Sequence, residues 1–123
     1  MAPPTSAHVI SATIEINPKT LNLMEKGVIT VFIWLPGYDV NMIDVSTVRF
    51  DGVIPALRGN VEEGKMVVKF DAPSVTNYIW TSKVSHMGVI PPQADYKIPI
   101  IITGSLLTGE FFQNTQPYML TII

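Results

Sequence analysis

The run Val28 to Leu35, VITVFIWL, is apolar at every position except Thr30 and is rich in β-branched and aromatic residues. Such residues suit a pleated strand. Apolar side chains on both faces mark a central strand that is covered on both sides. A chain built around such a strand must supply other strands to flank it and a second layer to cover it.

The neighbouring segments read that way. His8 to Ile16, HVISATIEI, alternates, with Ile10, Ala12, Ile14 and Ile16 on one face and Val9, Ser11, Thr13 and Glu15 on the other. Period two argues a half-buried strand. Asp44 to Asp51, DVSTVRFD, alternates again, and Met66 to Phe70, Tyr96 to Leu107 and Tyr118 to Ile123 read as further strands. Between them stand Asn17-Pro18, Pro36-Gly37, Asp51-Gly52, Glu63-Gly64 and Thr108-Gly109, each a turn signal. Val53 to Leu57 is a short extended piece, which Pro55 places at an edge. Pro73 to Trp80 reads as one or two helical turns, with Asp71 able to cap them. About seven strands, turns at short intervals and no sustained βαβ pattern predict an all-β fold, an antiparallel β-sandwich with one short helix near 73–80.

The length of 123 residues fits one domain, read as 8–123 behind a Pro/Ser-containing leader or linker at 1–7. No cysteine is present, so neither disulfides nor thiolate metal sites enter. The net charge of −2 gives no electrostatic case for nucleic acid. Apolar runs are broken by Thr, Pro or Gly well before the ~20 residues a membrane span needs. Only 15% of residues are charged and 47% are hydrophobic, against about 25% charged in an ordinary soluble domain. Either a large sheet buries this surface internally, or part of it meets a neighbouring subunit or domain.

The acids Asp39, Asp44 and Asp51 form the one concentration of oxygen ligands and are the calcium candidates. Their spacing lacks the D-x-D-x-D-G pattern of a calcium loop. The simpler reading has Asp39 and Asn41 shaping an Asx-turn, Asp44 satisfying loop amides and Asp51-Gly52 ending a strand. His8 and His86 are the only histidines and fall in unrelated segments; no G-x-S-x-G, phosphate loop or nucleophile pairing occurs. The reading is therefore of a chain that is not an enzyme and needs no cofactor. Trp34, inside the central strand, is expected in the core. Tyr78 and Trp80 can form an aromatic platform for a sugar ring beside the apolar 81–95 segment, which carries Met87 and Ile90.

The order of ATIEINPKTLNL, KGVITVFIWLPGYDVNMIDVSTVRFDG, KMVVKFD and IIITGSLLTGEFF resembles Ig-like or cohesin-like β-sandwich modules of prokaryotic secreted multidomain proteins. The resemblance covers about residues 12–123, and its most specific parts are Asn17-Pro18 to Leu23 and Asp44 to Val48. It implies an Ig-like fold and an extracellular or cell-surface location, and it brings no catalytic set. The chain departs from the pattern in a near-neutral last strand and a longer, more apolar 76–95 segment. Together these readings predict a structural or interaction module that assembles with protein partners, with strand addition in a surface filament or layer as the mode. The contact residues would be Tyr78, Trp80, Met87 and Ile90, with Ile10 and Ile14 of a donated N-terminal strand, or Tyr118 of the C-terminal one. The alternative is a glycan- or ligand-binding accessory module.

Overall fold

The computed structural model describes residues 9–84 and 96–123. They form eleven strands: β1 (Val9–Asn17), β2 (Thr20–Leu21), β3 (Val28–Trp34), β4 (Ile43–Phe50), β5 (Ile54–Pro55), β6 (Arg58–Glu62), β7 (Lys65–Asp71), β8 (Tyr96–Ile100), β9 (Ile102–Leu106), β10 (Phe111–Asn114) and β11 (Tyr118–Ile122). One helix, α1 (Ala72–Ile79), runs into a π-helical turn over Trp80–Val84. The protein is mostly β, with a curled eight-stranded sheet in the order β5-β4-β9-β10-β1-β3-β7-β6 and a three-stranded sheet β2-β11-β8.

The curl has a visible cause at each seam. β1 changes partners midway: Val9–Ala12 run parallel to β10, and Thr13–Asn17 run antiparallel to β3. At the other seam β5 leads within two residues into β6. There Ala56 N–H donates to Val48 O at 3.2 Å and Leu57 N–H donates to Lys69 O at 2.8 Å, so one short segment is tied to both sides. The sheet thus folds over on itself, and Phe50 of β4 meets Phe70 of β7 edge to face at 5.5 Å. Edge-to-face contact is a favoured aromatic geometry and adds to the burial both rings contribute. Ile10, Val48 and Phe112 line one side of this core and Ile29, Val31 and Val68 the other, all buried. Val75 and Ile79 of α1 close one end.

The strand count exceeds seven for local reasons. Tyr96 to Leu107 is one hairpin arm broken at Ile101 into β8 and β9, and its return arm is broken between Asn114 and Tyr118. Asn114, 2% exposed, repairs the break. Ile102 N–H donates to Asn114 Oδ1 at 2.8 Å, while Nδ2 donates to Ile100 O at 3.2 Å and Gln116 O at 2.7 Å. One amide side chain therefore replaces ladder bonds that the bulged backbone cannot make. β6 carries no apolar alternation beyond Val61 and was not expected from sequence; it is an edge strand with charged ends, Arg58 and Glu62. The expected turn beside it is present: Glu63 (φ 48°) and Gly64 (φ 79°) both take the left-handed conformation a two-residue hairpin turn requires.

Three expectations change. The β fold is not wholly antiparallel, because β1 with β10 and β2 with β11 pair in parallel. β3 is central, between β1 and β7, but its outer face is covered by side chains rather than by a second layer. Lys69 Nζ donates to Thr30 Oγ1 at 2.8 Å, and Lys65 Nζ lies 5.8 Å from the Phe32 ring centroid. Trp34 sits half-buried on that face, 6.3 Å from Phe32, and not in the core. Replacing Asn114 by Leu keeps the branching at Cγ and removes every substitute bond. It is expected to cost roughly 1–3 kcal/mol for the buried backbone groups left unpaired, read as a lower midpoint in urea with an unchanged slope.

Candidate functional site

The acids singled out in the sequence are each engaged locally. Asp39 caps a 3-10 turn at Val40–Met42, accepting from the backbone N–H and the side-chain amide of Asn41 at 2.9 Å each. Those two bonds hold its carboxyl below the usual value. Asp44 accepts from Ser46 N–H at 3.1 Å and Ser46 Oγ at 2.6 Å. Next to it, Thr47 Oγ1 donates to Asp44 O at 2.6 Å and accepts from Ser105 N–H at 2.8 Å, where the β4–β9 register shifts. The Asp44-Val45-Ser46-Thr47 element thus builds the irregularity in the β4–β9 ladder. Among the described residues no three His, Cys, Asp or Glu side chains approach closely enough to hold a metal ion.

Asp51 has a wider reach. It sits at φ 54° in the turn between β4 and β5, paired with Gly52 at φ 73°, and its carboxylate points back into the fold. Oδ2 accepts from Tyr78 Oη of α1 and from Lys83 Nζ of the π turn at 2.9 Å, and Oδ1 accepts from Ile101 N–H at 3.2 Å. Asp51 is 11% and Lys83 26% exposed. Burial pushes the Asp51 carboxyl up, but the bonds from Tyr78, Lys83 and the Ile101 amide, together with the Lys83 charge, outweigh it and leave the value below 3.8. The Tyr78 phenol is pushed up to about 12 by burial and by the neighbouring carboxylate. One carboxylate therefore joins the β4–β5 turn, the helix, the π turn and the break in the β8–β9 arm.

That node fixes one wall of an open cleft. Across it from α1 lies the Asn22 to Lys26 turn, which Asn22 holds by accepting from Met24 N–H at its side chain and Glu25 N–H at its carbonyl, both at 2.8 Å. On the helix, Asp71 caps the first turn by accepting from Ser74 N–H at 3.1 Å. Pro73, Asn77 and Trp80 then fall on one face by helical spacing. Between the walls is a volume of about 560 Å³, lined mainly by Leu23, Met24, Pro73 and Trp80, with Glu25, Lys26 and the Asn77 amide at its polar positions. Met24 is 80% and Trp80 49% exposed. What its described lining offers is apolar surface, the polar Thr76 and Asn77, and one charge of each sign, which suit binding.

Of the contact candidates among the described residues, only Trp80 lines this cleft. Tyr78 faces away from it toward Asp51. Ile10 is 1% exposed in the core, and Ile14 packs against it, half-buried. A contact role for either would require β1 to leave its own sandwich. Tyr118 is half-buried and donates to Ile16 O at 3.3 Å. Met87 and Ile90 lie outside the described residues. Met24 and Leu23 were missed, because a short apolar piece before a turn carries no periodic signal. Lys83 was missed because the π turn that delivers it to Asp51 is not legible in composition. Comparison of the chain with protein-family models, with curated proteins and with solved structures returned no match.

The pH dependence has a definite sign. The Asp51 value is depressed on folding, so its contribution is fully present above the unfolded value, 3.8, and is lost as pH falls through the lower folded value. The raised Tyr78 value contributes below 10 and that contribution is lost as pH rises through about 12. In thermal melts, Asp51→Asn is expected to melt below the wild type at about pH 7, with the gap narrowing toward about pH 3. A gap independent of pH would show that the carboxylate charge does not hold the node.

Proposed function

We propose that this chain is a non-enzymatic interaction module of the Ig-like β-sandwich type, secreted or displayed at a cell surface, and that its contact surface is the cleft beneath Trp80. Strand order supports the Ig-like part. β1, β3, β7 and β6 follow the A-B-E-D order of one Ig sheet, and β5, β4, β9 and β10 follow C′-C-F-G of the other. The location rests on the resemblance of the Asn17-Pro18 and Asp44 to Val48 elements to prokaryotic surface modules. No helix among the described residues is long and apolar enough to cross a membrane.

The observation that carries the functional reading is the cleft itself. It has two hydrogen-bonded walls, a half-exposed indole and a highly exposed Met24, in a chain with few charges. Exposed aromatic and methionine side chains in a preformed apolar recess are the features of a protein contact. The presence of both Asn77 and Trp80 in the lining favours a second reading, a sugar ring stacked on the indole.

Screening the labelled chain on peptide and glycan arrays separates the two. Peptide binding that Trp80→Ala reduces at least about tenfold, the effect of about 1.4 kcal/mol at an aromatic anchor, is the expected result. Glycan binding alone would give the second reading its place. Blank arrays, with anilinonaphthalene sulfonate fluorescence unaltered by Trp80→Ala, would count against the cleft.

A further inference from the structure

We propose that the occupant of the cleft is a second copy of this chain, presenting the tip of its β9–β10 hairpin, so that copies join head to tail. This rests on the interaction-module reading of the same cleft and names its partner. The three most exposed large apolar side chains among the described residues are Met24 (80%), Leu107 (65%) and Phe111 (63%). The first belongs to the cleft; the other two belong to one hairpin tip.

The register places these features at opposite poles. Phe111 pairs with Val9 at the start of β1, and Asn17 at its other end pairs with Thr30. Two residues beyond Thr30, Val28 pairs with Asp71, and Ala72 N–H donates to Gly27 O at the base of α1. Val9 to Asn17 spans eight strand steps, or about 26 Å at about 3.3 Å per residue. A knob at one pole and a recess at the other cannot meet within one molecule, but they meet between successive copies. Such a heterologous contact between opposite poles propagates unless its rotation closes a ring.

The tip suits the recess in size and order. It is tight: Gly109 N–H donates to Leu106 O at 2.8 Å and Leu106 N–H to Glu110 O at 2.7 Å. Leu107 N–H also donates to Met42 O at 2.7 Å, which ties the tip to the 3-10 turn. A preordered tip entering a preordered cleft loses little conformational entropy on docking. A volume of about 560 Å³ accommodates a leucine side chain and the adjoining turn. Glu110 is held at the tip by Thr108 Oγ1, which donates to its Oε1 at 2.9 Å. Lys26 lines the cleft without an ion pair among the described residues, but Glu25 lines it too, so the charges there balance and apolar fit carries the pairing. The contact is small, below the ~1,200 Å² of a standard interface, so association is weak and concentration-dependent.

Sedimentation velocity of the full chain from roughly 10 to 1,000 μM, the range of a small interface, tests this with two variants. Leu107→Glu removes the knob and Trp80→Ala the recess; Met24→Glu, outside the core, repeats the second arm should Trp80→Ala disturb folding. The wild type is expected to grow in mean mass without stopping at a dimer, and each variant alone to stay monomeric. An equimolar mixture of the two variants is expected to stop at a dimer, since one intact knob and one intact recess remain between them. A monomeric wild type, a wild type that stops at dimer, a variant that still associates, or a mixture that stays monomeric would each overturn the head-to-tail contact. Trp80-dependent peptide binding by a monomeric wild type would overturn the self-pairing while leaving the module reading intact.

Discussion

The carboxylate of Asp51 is the constraint on which the candidate site depends. A β-sandwich does not by itself dictate where a short helix lies across its end. Here Val75 and Ile79 give α1 an apolar underside, which fixes its depth but only loosely its rotation. The Tyr78 and Lys83 bonds to Asp51 supply the rotation. With Tyr78 turned inward to the carboxylate, Pro73, Asn77 and Trp80 are left to face the Asn22 to Lys26 turn. The carboxylate holds its own direction because the left-handed turn at Asp51-Gly52 aims it inward and the Ile101 amide meets it. A buried charge is tolerated only when it is paired and hydrogen-bonded, and three donors from three segments meet that condition.

The same geometry decides which surfaces are free. β1 is bound along one half by β10 and along the other by β3, so donating it to another molecule would break both of these pairings and open that seam. β6 ends in charges and β5 has two residues, the usual features of protected edges. The most exposed large apolar side chains among the described residues, Met24, Leu107 and Phe111, stand instead at the two poles. Low charge content is thereby tied to particular side chains and not only to a large core.

Much of this fold was legible in the sequence, and the unread parts share a cause. Period-two runs gave β1 and β4, apolar β-rich runs gave β3 and β7, and left-handed turn residues gave the Asp51-Gly52 and Glu63-Gly64 hairpins. The Asp71 cap and Pro73 gave α1. What could not be read was pairing over distance. The switch of β1 between partners, the repair of the hairpin break by Asn114, and the approach of Lys83 to Asp51 all join residues that no local pattern links. Asp51 itself was read as a turn residue. It is one, and the turn is also what directs its carboxylate to Tyr78. Trp34 misled because an apolar strand can cover its outer face with aromatic rings and lysine stems.

Amide hydrogen exchange of Asp51→Asn against the wild type, at neutral pH, tests most directly the claim that this carboxylate fixes the cleft wall. The account predicts a loss of protection concentrated in residues 78–84, with the amides of β3 and β7 still protected as in the wild type. Unchanged protection over residues 78–84, or an equal loss across the whole sheet, would contradict it.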